Sequence, residues 1–304
     1  MNLMINKDNA GWIVDSIHED FKKFTRHNIV NSNPDIFFSI SFWGFKKTAH
    51  SMNCPSIAMV HHINEPQISE YPFDYINQHA SACIVPNKIT ADVLKRFIKK
   101  PIHILSYWLL SDRMKPKINI ELLKNTLSPN GEILMGYFQK DSNRGGATPK
   151  LCKGPDIFFN IVKELNKSHK IKVVLTGYDR KWIINQLFKE NIPYVYYEKV
   201  KDINKFYDVV DWYFVTSRIE GGPQAVMEAS YRKIKILSTS VGLAPDVLHP
   251  DCICKTEKEF IDKFNSGINR IEENYKNVQE YLPQKVIKQY DEILESYRRK
   301  NDRF

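Results

Sequence analysis

The feature that most constrains this chain is a regular alternation of short apolar runs with amphipathic segments. The runs are rich in Ile, Val and Phe, which is typical of parallel strands buried on both faces. The segments between them repeat apolar residues at three- and four-residue spacing, as Ile13, Ile17, Phe21 and Phe24 do, and this period predicts helices. Strands and helices that alternate in this way predict an α/β fold built on parallel sheets.

The predicted strands form two blocks separated by a polar stretch. They cover residues 3–5, 35–39, 56–60, 82–85, 102–105, 133–137, 171–175, 194–197, 212–215 and 234–237. The stretch 111–130 is polar and contains Pro116 and Pro129, so we place a domain boundary in it. The predicted domains are 1–128 and 129–282, followed by a helical segment at 283–304 whose apolar face must pack on another surface.

Composition narrows the function classes. The 304 residues are 42% hydrophobic and carry a net charge of +9, so the chain can bury a core and suits negatively charged partners. Five scattered cysteines favour a reduced compartment, and no apolar run approaches the ~20 residues that span a bilayer. We expect a cytoplasmic protein, free or bound peripherally at the inner membrane face through basic clusters such as Lys95-Arg96.

The most informative motif is Glu220-Gly221-Gly222-Pro223, between a predicted strand and a predicted helix that carries Glu228. Glycines before a helix that opens with proline leave backbone N–H groups approachable by an anion or a hydroxyl. Carboxylates at two depths suit a ligand with several hydroxyls. The alternative is a structural turn, with Glu220 offsetting the helix dipole and Glu228 solvated on its helix.

With Glu220 and Glu228 separated by seven residues, this motif resembles the signature of retaining glycosyltransferases of the GT-B fold, family 4 type, in the group 1 of glycosyl transferases. Weaker matches follow in order at Gly136, at Lys153-Gly154-Pro155-Asp156 and at Thr239-Ser240-Val241-Gly242. The resemblance implies two Rossmann-like domains facing a central cleft, with the C-terminal helix crossing back to the first domain. The N-terminal domain would bind the acceptor and the second domain the donor.

The resemblance also implies roles for particular residues in the second domain. Glu228 would accept hydrogen bonds from the ribose of a nucleotide-sugar, and Glu220, with the amides of Gly221 and Gly222 and the adjoining Pro223, would address the donor sugar. Lys153 and an upstream arginine would neutralise the diphosphate. That arginine is Arg144 in our prediction, with Lys140 and Lys150 as rivals.

Four further residues complete the predicted site. Gly11 and Gly136 follow or end strands and would approach the donor, Val200 would contact the base, and His61 would touch the donor sugar. For Gly11 a plain turn, and for His61 a structural histidine, are the alternatives. No spacing typical of metal ligands is present, so we predict metal independence and no cofactor beyond the donor itself.

The predicted function is transfer of a sugar, with retention of configuration, from a UDP- or GDP-sugar to a hydroxyl of a glycan or glycolipid. One alternative is a glycosyltransferase acting on nucleic acid, which the positive charge favours, although no nucleic-acid-binding motif is present and we do not expect nucleic acid as a partner. Another is a non-catalytic protein that binds nucleotide-sugars, since the first domain is short for the family.

Overall fold

The computed structural model describes residues 1–6, 13–116, 119–143 and 146–298, apart from the side chain of Pro66. The chain forms two compact units. Unit 1 contains Met1–Ser111 and Glu280–Phe304, and unit 2 contains Asp112–Gln279.

The strands are β1 (Asn2–Asn6), β2 (Asn28–Ile29), β3 (Ile36–Ser39), β4 (Ser56–Met59), β5 (Ala82–Val85), β6 (Ile102–Ile104), β7 (Ile133–Tyr137), β8 (Ile171–Thr176), β9 (Tyr194–Tyr197), β10 (Trp212–Val215), β11 (Lys235–Thr239) and β12 (Ile253–Cys254). The α-helices are α1 (Ile13–Phe24), α2 (Phe42–Thr48), α3 (Phe73–His79), α4 (Lys88–Leu94), α5 (Glu121–Leu127), α6 (Pro155–Leu165), α7 (Lys181–Lys189), α8 (Asn204–Val209), α9 (Gln224–Tyr231), α10 (Ala244–Val247), α11 (Glu257–Asn265), α12 (Ile271–Val278) and α13 (Pro283–Ser296).

Unit 1 is built on a parallel sheet of six strands in the order β2-β1-β3-β4-β5-β6. Every residue of β3, β4 and β5 is buried, which explains why these strands are continuous apolar runs in the sequence. The apolar face of α13 packs on α1, where the rings of Phe21 and Tyr290 are 6.0 Å apart. Thr25 also donates a hydrogen bond of 2.6 Å to Asp291 of α13.

Unit 2 contains a second parallel sheet of six strands in the order β12-β11-β10-β7-β8-β9. Together the two parallel sheets with their helices confirm the predicted α/β fold. No helix among the described residues is long and apolar enough to cross a membrane.

The two units divide at Ser111, whereas the sequence predicts a boundary after Ser128. The intervening residues belong to unit 2 because their charged side chains bind there. Lys124 of α5 donates a hydrogen bond of 2.7 Å to Asp211, and Leu127 is buried. The C-terminal part of the chain, from Glu280, belongs to unit 1, so the division there falls close to the predicted one at 282.

Candidate active site

Three loops of unit 2 meet at one edge of its sheet. They follow β7, β10 and β11, which are neighbours in the sheet and parallel. The carboxyl ends of parallel strands lie at the same edge, which is where open α/β sheets bind ligands. The predicted site residues in these three loops therefore lie at one edge of the sheet of unit 2.

The loop after β10 is bound to the turn that precedes α6. The backbone amides of Arg218 and Ile219 both donate to the carbonyl of Cys152, at 2.8 and 3.2 Å. Gly154 has a left-handed φ of +63°, and a Cβ there would lie 1.8 Å from the carbonyl oxygen of Thr216. Only glycine permits this approach of the two backbones, and the approach brings Lys153 to the loop that carries Glu220.

Lys153 and Glu220 form an ion pair, in which the ammonium donates to Oε1 of the carboxylate. Ser217 donates to the same oxygen at 3.1 Å. The lysine side chain is 24% exposed and the glutamate side chain 11%, so both remain reachable while being held by neighbours. A cation and an anion thus lie side by side at the edge of the sheet.

The predicted turn at residues 221–223 leads directly into α9. Gly242, in the loop after β11, lies against it, since a Cβ at residue 242 would be 2.8 Å from the carbonyl oxygen of Gly221. Pro223 is the N-cap residue and α9 begins at Gln224, one residue later than a proline at the first helical position implies. Gly221 is buried and Gly222 half-buried.

Glu228 is buried on α9, with 6% of its surface exposed. Arg113 donates from Nε to Oε1 at 2.8 Å, and the hydroxyl of Tyr207 donates to Oε2 at 2.6 Å. The alternative of a solvated helix residue is therefore wrong for Glu228, because the side chain turns inward to two donors. Burial, and then the neighbouring Glu228 carboxylate, raise the pKa of Tyr207 well above its usual value, so this hydroxyl stays a donor.

No sequence motif points to Arg113 or Tyr207. Arg113 is 115 residues from Glu228 in the chain and lies in the polar stretch in which the sequence predicts a domain boundary. Burial is the largest single influence on its guanidinium and lowers the pKa, but the charges of Glu228 and Asp112 and the hydrogen bond to Glu228 together outweigh it, so the pKa is raised. Only the folded chain brings these partners together.

The loop after β7 is anchored by a buried ion pair. Arg180 donates to Asp141 at 3.1 Å, and both side chains are almost fully inaccessible. Arg144, the predicted diphosphate arginine, lies outside the described residues. Of its rivals, Lys140 lies 3.3 Å from Asp179, and the backbone amide of Lys150 donates to the carbonyl of Asp141 at 2.7 Å. The choice of diphosphate cation stays a prediction.

The other predicted residues fall in several places. Gly136 is inside β7, where a Cβ would lie 2.8 Å from the ring of Tyr213, so tight packing already requires glycine there. Val200 is half-buried in the loop after β9. Gly11 lies outside the described residues. The donor-binding roles of all three remain predictions.

His61 belongs to unit 1 and follows β4. Its ring stacks on Tyr107, with centroids 5.4 Å apart, and its Nδ1 is hydrogen-bonded to the tyrosine hydroxyl. Burial, together with the neighbouring His62, lowers the pKa of His61 to about 4. The imidazole is therefore neutral at physiological pH, and its contact with a donor sugar stays a prediction.

Known protein families and solved structures resemble this chain. Residues 148–289, a little under half of the chain, match the family model described as glycosyl transferases group 1. No curated protein sequence matches the chain significantly.

Solved structures share the fold over most of the chain. HepE from Anabaena, crystallised with UDP and glucose, has a TM-score of 0.76 at 12% identity, covering 97% of this chain and 99% of its own. A glycosyltransferase from Rickettsia africae has a TM-score of 0.74 at 12% identity, covering 99% of both chains. Sucrose-phosphate synthase from Thermosynechococcus elongatus has a TM-score of 0.69 at 12% identity, covering 86% of this chain and 73% of its own.

At such identities the structural likeness shows the fold, which is GT-B, and the GT-B prediction is confirmed. The matched domain adds the class of protein: this protein is a glycosyltransferase. Among the described residues, no group of three or more His, Cys, Asp or Glu side chains is placed to hold a metal ion. Metal independence, which concerns the reaction, remains a prediction.

Proposed function

We propose that the protein transfers a sugar from a UDP-sugar to a hydroxyl of a glycan or glycolipid, with retention of the anomeric configuration. The observation that carries the proposal is the juxtaposition of Lys153 and Glu220 at one end of α9, with the buried carboxylate of Glu228 further along the same helix. UDP is favoured over GDP because HepE, which shares the fold, was crystallised with UDP and with UDP-glucose.

In this proposal the Lys153 ammonium stabilises the diphosphate leaving group. As the bond from the sugar to the diphosphate breaks, negative charge grows on the diphosphate, so a nearby ammonium stabilises the transition state more than the bound substrate. An ammonium has three donors. Lys153 gives one to Glu220 and can offer another to a phosphate oxygen.

The proposed chemistry needs no protein nucleophile. The diphosphate leaves from the same face of the sugar on which the acceptor hydroxyl attacks, and a diphosphate oxygen takes the hydroxyl proton. The new bond therefore forms with the original configuration. In this proposal Glu220 positions the donor sugar, and Glu228 accepts hydrogen bonds from the ribose.

Peripheral membrane contact through basic clusters such as Lys95-Arg96 stays a prediction. Lys95 donates to Asp92 at 3.1 Å and Arg96 donates to Glu65 at 2.5 Å, so nearby carboxylates compensate both charges.

Isothermal titration calorimetry with UDP and GDP tests the donor assignment. Glu228→Gln keeps the side-chain volume but weakens a charged acceptor, so we expect UDP affinity to fall by about tenfold or more. Glu220→Gln should lower turnover more than affinity. Glu272→Gln, which removes the charge of an exposed carboxylate paired with Lys233, is the matched control.

Analysis of the reaction product tests the proposed retention of configuration and the proposed acceptor class. NMR of the product formed from UDP-glucose on a panel of glycan and glycolipid acceptors reports its anomeric configuration. An inverted product would refute retention, unchanged UDP affinity in Glu228→Gln would refute the ribose assignment, and preferential binding of GDP would refute the choice of nucleotide.

A further inference from the structure

We infer that Arg113 is a positioning residue for nucleotide recognition, holding the Glu228 carboxylate in the orientation in which it accepts the ribose hydroxyls. The inference rests on the proposed function and adds to it a residue outside the sequence motif. It concerns a side chain that acts through Glu228 rather than one that touches the donor.

The hydrogen bonds that Glu228 accepts leave acceptor positions for a ligand. Arg113 occupies one lone pair of Oε1 and Tyr207 one lone pair of Oε2. A carboxylate offers about four such acceptor positions. Each oxygen therefore keeps one position, which matches the two vicinal hydroxyls of a ribose.

Charge explains why an arginine is needed there. A buried carboxylate without a cation tends to take up a proton, and a protonated carboxyl is a weaker acceptor. The guanidinium of Arg113 compensates the charge of Glu228 and fixes the plane of the carboxylate. Tyr207 alone supplies a hydrogen bond but no charge.

Arg113 is itself held on both sides. Its Nη1 donates to Asp112 at 2.6 Å, and the carbonyl of Asp112 accepts from Asn204 at 3.0 Å. Asn204 and Tyr207 are three residues apart on α8, so they share one side of that helix. Helix α8 thus donates hydrogen bonds both to the segment that carries Arg113 and to the carboxylate that Arg113 orients.

The pairing also favours a positioning role over direct phosphate binding. The guanidinium contacts two carboxylates, Glu228 and Asp112, so its charge is already compensated. A phosphate ligand would have to compete with both anions.

A double-mutant cycle tests the inference, in which one change removes the ribose hydroxyls of the ligand and the other replaces Arg113. Calorimetry compares UDP with 2′,3′-dideoxy-UDP on wild type, Arg113→Met and Arg113→Lys. Arg270→Met, which removes an arginine bound to Asp251 elsewhere in unit 2, is the control. Thermal unfolding of each unliganded variant records its folding separately.

We expect wild type and Arg270→Met to bind UDP more tightly than the dideoxy analogue by on the order of tenfold to a hundredfold. In Arg113→Met this ratio should fall towards one while the affinity for the analogue changes little, and Arg113→Lys should recover part of the ratio. A variant that is merely less stable would not lose the ratio selectively.

Different results would refute this inference alone or the proposed function as well. If Arg113→Met kept the full wild-type ratio, this inference alone would be overturned. An equal loss of affinity for both ligands would also overturn it, because that result is expected if Arg113 binds the phosphates directly. A wild-type ratio near one would refute the ribose assignment of the proposed function and this inference with it.

Discussion

Replacing Gly154 with alanine tests how the site is assembled. The added Cβ would lie 1.8 Å from the carbonyl oxygen of Thr216, so that backbone must move by about 1 Å to reach an allowed contact. Gly267 has nearly the same φ, +66° against +63°, but nothing lies within 4 Å of its Cβ position. Gly267→Ala therefore carries only the left-handed strain of about 1–2 kcal/mol, and Gly154→Ala adds a clash of roughly 1–3 kcal/mol.

Differential scanning calorimetry of the full chain measures the difference, since each kcal/mol lowers Tm by about 2–4 °C in a unit of this size. Gly154→Ala should have the lower Tm. It should also lose turnover with UDP-sugar, because Lys153 moves away from Glu220, while Gly267→Ala keeps its activity. Equal Tm values and equal turnover in the two variants would refute the argument that close backbone contact positions the lysine.

Three further predictions concern stability. Asp141→Ala leaves the buried Arg180 without its carboxylate and should cost about 3–5 kcal/mol in urea unfolding, against less than about 1 kcal/mol for the exposed Asp262→Ala; similar losses would contradict the structure. The pKa of His61, about 4 in the folded protein, lies below its usual ~6.5, so the unfolded chain binds more protons between these values and stability falls as pH falls through that window. His61→Gln should weaken this dependence between pH 7 and 4.5 in urea midpoints, and an unchanged slope would exclude His61 as its source. Ser41→Ala removes the hydroxyl that caps α2 and should cost about 1 kcal/mol by the same measurement, with no loss if the cap is unimportant.

The elements of the fold were largely predictable. Strands β5, β7, β9 and β10 have the bounds expected from their apolar runs. Every residue of β5 and β10 is buried, and a strand covered on both faces must be apolar throughout. The two-residue strands β2 and β12 were missed since they are too short to show any period. Helices α2, α3, α5, α10, α11 and α12 were not predicted either. In the case of α2, its apolar residues follow β3 after only Ile40 and Ser41, so the two elements are not separated in the sequence.

The candidate site was predictable only in part. Glu220, Lys153 and Gly154 lie in motifs that sequence identifies. Their contact depends on the approach of two loops that are more than sixty residues apart. Arg113 lies in the polar stretch 111–130, outside every motif that the sequence shows.

The sequence by itself determined the alternation of strands and helices and the placement of Glu220 in the loop before one helix and of Glu228 in the body of that helix. Both follow from local spacing, since the helical rise and the strand period fix where nearby residues point. Only the tertiary structure decided which donors hold each carboxylate: Lys153 for Glu220, and Arg113 with Tyr207 for Glu228. Such pairings depend on how distant segments pack, and burial in that packing makes a partner for each charge obligatory.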